Sequence, residues 1–473
     1  MIRTRGRSQM AVLTAASLTV AMLAGCTQDG GSDAGPTGGT GDAQAITVWT
    51  ADTLPDRVAK TEAIIEKFTA KTGVKVDLVG VPEDQFNQVL TSSAAAGDLP
   101  DVIGSISLAQ VRTLAANDLV DADSNKAIIE SLDEGTFTKR ALELTRDGDQ
   151  QLSVPDSSWQ QLLYYRKDLF DKAGIAPPKT YDDIKAAAQK LDTPQLAGIA
   201  AANKPGEAFT QQTFEHIAQG NGCEMVNDKG DITFDSPECV GALEFYRDML
   251  KDYSVPGAQD VDTVRASYFA GQAAMSIWST FLLDEMAGLR DNAKPTCPEC
   301  AADPAFLAKN TGVVTGIQGP DGDQPAQFGE VVSWTVTKDS ASDSARKFVE
   351  YFMTEGYVDW LSIAPEGRLP VRAGTKDNPT EFADKWKTLP AGVDRKEPLG
   401  NFYSKDVLSI LEKGPDDLKR WGITQGQGDL VGAALGELPV AKAVSDVTSG
   451  GVDPQTAAKQ AAESLKSIKD SLK

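Results

Sequence analysis

Residues 46–106 alternate between two hydrophobic periods, and this alternation constrains the fold more than any other feature of the sequence. Ile46 and Val48 alternate with polar residues as in a strand, whereas Ile64 and Phe68 lie on one face of a helix that Gly73 should end. The segments VKVDLVGV, EDQFNQVLTSSAAAG and PDVIG continue the pattern as strand, helix and short buried strand. This order of elements predicts an α/β layer with parallel strands.

Helical patterns predominate after residue 168. In PPKTYDDIKAAAQKL, Thr180 precedes Asp183 by three residues, as in a capping box. The segment VVSWTV, which begins at Val331, alternates as a strand, and DPQTAAKQAAESLKSIKDSLK predicts an amphipathic helix. Residues 46–473 are too many for one hydrophobic core, so we expect two lobes.

The first 45 residues predict export and an anchor. Arginines near the start precede an apolar run over residues 10–24, which is shorter than the ~20 residues that a membrane-spanning helix needs and is typical of a signal peptide. LAGC at residues 23–26 resembles the lipobox of bacterial lipoproteins. We therefore expect a signal peptide over residues 1–25, acylation (palmitate) of Cys26, and a glycine-rich flexible tether over residues 26–45. An ordinary signal peptide with an incidental cysteine is the alternative.

The remaining cysteines predict disulfides. They number four, and an even number in an exported chain favours pairing; the most local of three possible connectivities joins Cys223 to Cys239 and Cys297 to Cys300. The motif CPEC also has the spacing of zinc ligands. Because no histidine lies nearby and the compartment should be oxidising, we expect no metal site.

Composition excludes other classes of function. With 46 basic against 68 acidic residues and a net charge of −22, the chain does not have the basic character of a nucleic-acid-binding protein. His216 is the single histidine, so multi-histidine metal sites cannot form, and we expect it to be an ordinary helix residue. The segment DADSN, residues 121–125, begins like a calcium loop but has Lys126 in place of the turn glycine; we expect a solvated loop there.

Five segments, taken in order, resemble the extracellular solute-binding lipoproteins of ABC importers, specifically the maltose-binding-like, carbohydrate-uptake group. These segments are FTAKTGVKVDLV, SSAAAGDLPDVIG, LSVPDSSWQQLLYYRKDLFDKAGIAPPKTYDDI, YFAGQAAMSIW and EGRLPVRAG. The resemblance implies a periplasmic-binding-protein-like fold of two α/β lobes, joined by hinge crossings with a ligand cleft between them. Lobe I would hold residues 46–156 plus 330–370, and lobe II residues 157–329 plus 371–473.

The resemblance also implies the function. The protein would capture a sugar or oligosaccharide outside the cell by hinge closure and deliver it to ABC permease subunits that a cytoplasmic ATPase drives. We expect a monomer without cofactor, attached to the cell membrane only through its N-terminal lipid, that catalyses no reaction. The alternatives are a binding protein for another solute (a glycerol-phosphate ester, a polyamine or a peptide), a surface adhesin, and a surface glycoside hydrolase with a carboxylate pair.

A sugar has apolar C–H faces and a rim of hydroxyl groups, so its site needs aromatic rings and directional polar groups. Loops after strand ends supply most of the candidates, and the resemblance adds the position of Phe281 and the region of Trp421. The polar candidates are Thr50, Asp52, Ser105, Asp156, Ser158, Glu330 and Arg368; the aromatic candidates are Trp159, Trp278, Phe281 and Trp421. Because Arg368 is the one cation among them, a neutral sugar is favoured. We expect packing roles for Trp334, Trp360 and Trp386, and a division of Tyr164 and Tyr165 between core and cleft.

Overall fold

The structure is a computed structural model that describes residues 45–82, 85–338 and 340–472. The predicted signal peptide, the acylated Cys26 and most of the tether therefore lie outside the described residues. The strands are β1 Ile46–Thr50, β2 Val76–Gly80, β3 Val102–Ile106, β4 Arg146–Asp147, β5 Gln150–Gln151, β6 Val154–Arg166, β7 Met275–Ser279, β8 Thr311–Val314, β9 Gln327–Val336, β10 Leu369–Pro370, β11 Pro390–Ala391, β12 Glu397–Pro398 and β13 Leu418–Lys419.

The helices are distributed along the whole described chain. They are α1 Pro55–Thr72, α2 Phe86–Ala96, α3 Leu108–Ala116, α4 Ala122–Ser131, α5 Lys139–Leu144, α6 Lys167–Ala173, α7 Tyr181–Leu191, α8 Ala208–Ala218, α9 Pro237–Tyr253, α10 Val261–Phe269, α11 Leu282–Met286, α12 Phe306–Asn310, α13 Ser342–Phe352, α14 Tyr357–Leu361, α15 Glu381–Trp386, α16 Lys405–Lys413, α17 Gly428–Glu437, α18 Pro439–Thr448 and α19 Pro454–Ser471. Among the residues that the structure describes, none of these helices is long and apolar enough to cross a membrane.

The predicted alternation of the first elements is confirmed. β1 pairs in parallel with both β2 and β3, with Val48 opposite Leu78 and Val102. Gly73 ends α1 in the left-handed conformation (φ 77°), which glycine adopts without steric cost, and its N–H bonds to the carbonyl of Thr69. Thr180 and Asp183 form the predicted capping box of α7. Local signals thus specify these elements.

Two long strands connect the rest of the sheet. Within the described residues, nine strands form one hydrogen-bonded network along the path β10-β6-β9-β3-β1-β2, with β13 on β9 and with β7 and β8 on β6. β6 runs antiparallel to β9, β10, β7 and β8, so the sheet is mixed rather than wholly parallel. The register of β9 shifts against β6 between Pro155 and Ser157, and against β3 between Ile103 and Ile106. The candidate site residues Asp156 and Ser105 lie within these two irregularities.

Apolar residues pack into separate hydrophobic cores. The first core includes Val48, Val102 and Val336, and the second includes Phe214 and Leu465. Trp334 and Trp360 pack in the first core with ring centroids 4.9 Å apart, and Trp386 is 3% exposed in the same core, which confirms packing for all three. The expectation that one of Tyr164 and Tyr165 faces the cleft is wrong. Successive side chains of β6 point to opposite faces, so Tyr164 is buried in the first core and Tyr165 in the second.

Other local expectations have mixed outcomes. The structure joins Cys223 to Cys239 and Cys297 to Cys300, the most local pairing. The expected solvated loop at residues 121–125 is wrong, because Asp121 caps α4 by accepting the N–H of Ser124 and the following residues are helical. Aspartate is a favoured N-cap residue, so Asp121 also predicts the start of a helix. The comparison with a calcium loop did not take this second meaning into account.

Candidate ligand-binding site

Asp52 is held at the carboxyl end of β1 by three neighbours. The hydroxyl of Thr50 accepts a hydrogen bond from the backbone N–H of Asp52 at 3.1 Å. Arg368 donates from Nη2 to Asp52 Oδ2 at 2.7 Å, and Nη1 of Arg57 lies 3.5 Å from Oδ1. One carboxylate therefore pairs with two guanidinium groups, although 316 residues separate Asp52 from Arg368.

Arg368 is also positioned by Trp360 and Asp156. Its Cζ lies 3.7 Å from the centroid of the Trp360 ring, well within the range of a cation–π interaction. Trp360 Nε1 donates to Asp156 Oδ1 at 3.0 Å, and the same oxygen accepts from Ser157 Oγ at 2.5 Å and lies 4.0 Å from Arg368 Nη1. Burial raises the pKa of Asp156 to about 6, although the charge of Arg368 acts in the opposite direction.

Trp159 and Phe281 are half-buried aromatic side chains linked to this charged group. Their ring centroids lie 6.5 Å apart in an edge-to-face arrangement, and the Cζ of Arg57 lies 5.2 Å from the centroid of Phe281. The backbone of Gly367 approaches Phe281 so closely that a Cβ there would lie 1.9 Å from ring atom Cε1. Only glycine permits this contact. The aromatic pair is thereby connected to Asp52 through Arg57.

A second charged group is linked to Trp159 through Phe328. The centroid of Phe328 lies 5.7 Å from that of Trp159, and Arg420 Cζ lies 4.7 Å from the centroid of Phe328. Arg420 forms a close ion pair with Glu330, and its Nε lies 3.6 Å from Oε1 of Glu215. Burial raises the pKa of Glu215 to about 7. The guanidinium of Arg420 is therefore compensated by carboxylates from two elements.

Glu330 supports the start of a helix as well. Its Oε1 accepts a hydrogen bond at 3.0 Å from the N–H of Leu108, the first residue of α3, where the helix dipole favours a negative charge. Its Oε2 is the partner of Arg420, and the residue is 4% exposed. Both carboxylate oxygens of Glu330 are thus bonded within the protein.

Several buried polar atoms beside these residues have no hydrogen-bond partner in the described part of the chain. They are Ser105 Oγ, Asp156 Oδ2, Ser158 Oγ, Gln160 Oε1 and Thr280 Oγ1. Ser158 lies opposite Leu369, the residue after Arg368, and the carbonyl of Gln160 accepts the N–H of Thr280 at 2.9 Å. Buried polar groups in native proteins are nearly always paired with protein groups or ordered water, so this part of the protein has spare capacity for hydrogen bonds.

Contacts connect six of the predicted site residues into one group. They are Thr50, Asp52, Asp156, Trp159, Phe281 and Arg368. Ser158 precedes Trp159 in β6 and lies opposite Leu369, next to Arg368. Glu330 joins this group opposite Trp159 in the β6–β9 pair. Ser105 follows Gly104, whose carbonyl accepts the N–H of Ala51, the residue before Asp52.

Two predicted aromatic platforms lie in the cores. Trp278 is 7% exposed, and its Nε1 donates to the carbonyl of Val261 at 3.1 Å while its ring packs 5.6 Å from that of Phe209. Trp421 is 1% exposed, and its Nε1 donates to the carbonyl of Cys223 at 2.7 Å. Their indole N–H groups are satisfied by backbone carbonyls, so the structure gives both side chains packing roles.

Sequence reasoning missed three residues that position the group. Arg57 lies in the first turn of α1, five residues after Asp52, and this spacing was the one local signal available for it. The sequence pattern predicts only packing for Trp360 and gives no signal for Arg420. Their partners are distant in sequence, so nothing near either residue could have indicated the contact.

Comparison with known proteins identifies the family of this chain over most of its length. The family sequence model described as bacterial extracellular solute-binding protein matches residues 51–359. YcjN of Escherichia coli K12, named as an ABC transporter periplasmic-binding protein, is 27% identical over 440 residues, which cover 91% of this chain and 94% of YcjN.

Solved structures of low sequence identity share the fold. A sugar transporter protein of Arthrobacter chlorophenolicus A6 with bound laminaribiose superposes with a TM-score of 0.68 at 19% identity, covering 90% of this chain and 99% of that protein. The GacH receptor of Streptomyces glaucescens, solved unliganded and with acarbose, superposes with a TM-score of 0.67 at 18% identity, covering 90% and 98%. The expected α/β fold of a periplasmic-binding protein is therefore confirmed.

Proposed function

Because the chain belongs to the family of bacterial extracellular solute-binding proteins, we propose that it is the solute-binding component of an ABC importer and that its solute is a sugar or oligosaccharide. The relatives above whose names or structure titles state a ligand bind laminaribiose or acarbose, both carbohydrates. The proposed action is capture by hinge closure and release to membrane permease subunits, without chemical change of the solute.

One observation carries the choice of a sugar. The half-buried rings of Trp159 and Phe281 pack edge to face, and the residues that precede them in the chain, Ser158 and Thr280, have buried hydroxyl groups with no hydrogen-bond partner in the described residues. A sugar offers both complements in one molecule, because its C–H face packs on aromatic rings and its hydroxyl groups donate and accept hydrogen bonds.

The charges in the group favour a neutral solute over a phosphate ester. Arg57 and Arg368 share the carboxylate of Asp52, and Asp156 lies within 4.0 Å of Arg368. A phosphate would have to compete with these internal pairs for each guanidinium. A polyamine would face carboxylates that arginines already neutralise. A carbohydrate needs neither exchange.

The proposal also covers the N-terminal lipid anchor, the monomeric state and the boundaries of the two lobes. Cys26 would carry lipid that holds the protein at the outer face of the cell membrane, and residues 27–45 would give it reach. The protein would act as a monomer. The lobe boundaries predicted above, with crossings near residues 156, 330 and 370, remain part of this proposal.

A thermal-shift screen of the purified mature protein against neutral mono- and oligosaccharides tests the function. A ligand that binds only the native state raises the melting temperature, and the increase grows with the logarithm of the ligand concentration above Kd. We expect at least one carbohydrate to raise it and to be recovered unchanged after incubation. Glycerol phosphate and spermidine are screened in the same way, as representatives of the phosphate-ester and polyamine classes of solute. A shift with these alone, or the release of reducing ends from an oligosaccharide, would overturn the proposal.

Two single substitutions test the site. Trp159→Ala and Phe281→Ala should each lower the affinity for that carbohydrate at least tenfold, measured by titration calorimetry. Phe306→Ala is the matched control, because Phe306 is also half-buried beneath an arginine, Arg166, with Cζ 5.3 Å from its ring centroid. Equal affinities for all three variants would refute the placement of the site.

A further inference from the structure

Arg290 bridges two segments that carry candidate site residues. Its Nε lies 2.6 Å from Oδ2 of Asp284, which is in α11, and its Nη2 lies 3.8 Å from Oε1 of Glu366. Both carboxylate side chains are buried, with at most 1% of the side chain exposed, whereas Arg290 reaches the surface at 14%. One guanidinium therefore connects α11 with the segment before β10.

Both segments continue directly into the site. Phe281 immediately precedes α11, three residues before Asp284, and Gly367 and Arg368 immediately follow Glu366. The ring of Phe281 lies against the backbone of Gly367 in the close approach described above. The bridge through Arg290 thus joins the same two segments as the contact between the Phe281 ring and Gly367.

The two carboxylates have more negative charge than one guanidinium compensates. Oδ1 of Asp284 and Oε2 of Glu366 have no hydrogen-bond partner in the described residues. Burial, strengthened by the neighbouring carboxylate of Asp284, raises the pKa of Glu366 to about 8, and burial also raises the pKa of Asp284. Two interacting buried carboxylates titrate together, so the pair keeps one proton above the usual pH range of a carboxyl group.

Further charged groups face the pair from the surrounding elements. Arg57 of α1 lowers the pKa of both carboxyl groups, and Lys60 of the same helix lies within electrostatic range of Glu366. Tyr403 faces both carboxylates, and its hydroxyl donates to the carbonyl of Leu283 at 2.7 Å. Glu285, next along α11, adds a like charge near Asp284 and pairs with Arg265.

We propose that Asp284, Arg290 and Glu366 form a positioning cluster that holds the Phe281 ring against Gly367 for solute binding, and that the cluster does so while Glu366 keeps its proton. The proposal rests on the proposed function, since the ring is taken to contact the solute. Loss of the proton would place a second negative charge beside Asp284. Repulsion would then separate the segment before β10 from α11 and displace the ring.

Solute affinity of two arginine variants tests the positioning role. Arg290→Gln should lower the affinity for the carbohydrate found in the screen at least tenfold at pH 6.5, and Arg290→Lys, which keeps the charge without the fork, should recover part of the loss. Arg265→Gln is the matched control, because Arg265 pairs at 3.4 Å with Glu285, which lies in α11 beside Asp284. This variant should change the affinity less than twofold. Equal effects of the Arg290→Gln and Arg265→Gln variants would refute the positioning role.

The pH dependence of Glu366→Gln tests the proton. The wild-type affinity should fall severalfold as the pH rises from 7 to 9, whereas the variant should bind like the wild type at pH 6.5 and keep that affinity at pH 9. The melting temperature of the ligand-free wild type should also fall relative to that of the variant between pH 5 and 8.5. Over that range Glu366 is protonated in the folded state but ionised in the unfolded state, so stability decreases as the pH rises. Parallel pH profiles of the two proteins would overturn the proposal.

These readouts separate this inference from the function on which it rests. If the wild type binds no carbohydrate, the proposed function fails, and the melting-temperature profile of the ligand-free proteins still decides whether Glu366 is buried with its proton. If the wild type binds a carbohydrate and both variants behave like it, the function stands and the positioning cluster is refuted.

Discussion

The guanidinium of Arg368 lies over the indole of Trp360, with its Cζ 3.7 Å from the ring centroid. The edge of the same indole donates from Nε1 to Asp156. One buried ring therefore orients a cation with its face and an anion with its edge, and the two ions lie 4.0 Å apart. A tryptophan that pattern alone assigns to packing thus also sets the charged part of the candidate site.

Replacing Trp360 by phenylalanine should separate these two contributions. Trp360→Phe keeps a ring beneath Arg368 but removes the donor to Asp156, and a hydrogen bond to a charged group contributes about 1.5–3 kcal/mol. Trp386→Phe is the control, because its Nε1 donates to the neutral carbonyl of Pro365 at 2.9 Å. At pH 7.5 we expect Trp360→Phe to lower the free energy of unfolding by about 1–2 kcal/mol more than Trp386→Phe, measured by urea denaturation. Equal losses would show that the charge of Asp156 adds nothing.

The contact between Gly367 and Phe281 predicts an effect on binding. Gly367→Ala places a methyl group in the space of the phenyl ring, so the ring must move and the solute affinity should fall at least tenfold. Gly400→Ala is the control, since a Cβ there would meet only Leu408, at an ordinary 3.5 Å. Calorimetric titration of both variants decides the point, and unchanged affinity of Gly367→Ala would mean that Phe281 does not contact the solute.

Two glycines of α17 should respond in opposite directions to alanine. A Cβ at Gly432 would lie 2.7 Å from Thr113 Oγ1 and 3.0 Å from the carbonyl of Ala109, where α17 packs on α3. Gly432→Ala should therefore destabilise the protein by about 1–3 kcal/mol. Gly436 has open space around its Cα, so Gly436→Ala should stabilise by about 0.5–1 kcal/mol. Melting temperatures that shift in the same direction would contradict this packing of α17 on α3.

The single histidine should stay neutral in the folded protein over the usual pH range. His216 is fully buried, its Nδ1 accepts the N–H of Phe328 at 3.2 Å, and burial lowers its pKa to about 3. The proton should therefore be on Nε2, and the imidazole NMR signals should not titrate between pH 5 and 8. Because the unfolded chain binds a proton below about 6.5, this residue contributes stability that is lost as the pH falls from about 6.5 toward 3. A midpoint near 6.5 would contradict the buried position.

The two disulfides should contribute unequally to stability. Cys223 and Cys239 are 16 residues apart in sequence, whereas Cys297 and Cys300 are 3 apart. In the chain-entropy model, replacing the first pair by alanine should cost about 3 kcal/mol, and replacing the second should cost about 1 kcal/mol less. Guanidinium unfolding of the two double variants measures the difference. A larger loss for the second pair would show that its role in the folded state exceeds chain entropy.

Local patterns were sufficient wherever neighbours in sequence are also neighbours in space. The helix α1 with its end at Gly73, the capping box of Thr180 and Asp183, and the pairing of the cysteines each depend on short segments. A local pattern gave the wrong prediction at Asp121, because the cap of helix α4 resembles the start of a calcium loop. Periodicity reports which residues are apolar on one face, which is why the parallel strands β1–β3 could be predicted.

The site itself required the tertiary structure. Asp52 and Arg368 meet only because β6, β9 and β10 bring the segment before β10 beside the end of β1. Burial of an indole is favourable in a core and at a binding surface alike, so composition could not separate Trp159, which is only half-buried, from Trp278 and Trp421, which are buried in the cores. Local sequence specifies the first α/β elements, the caps at Gly73 and Thr180 and the family resemblance. Only the packing of elements hundreds of residues apart decided which polar and aromatic side chains lie together, because contact energy depends on three-dimensional neighbours and not on distance along the chain.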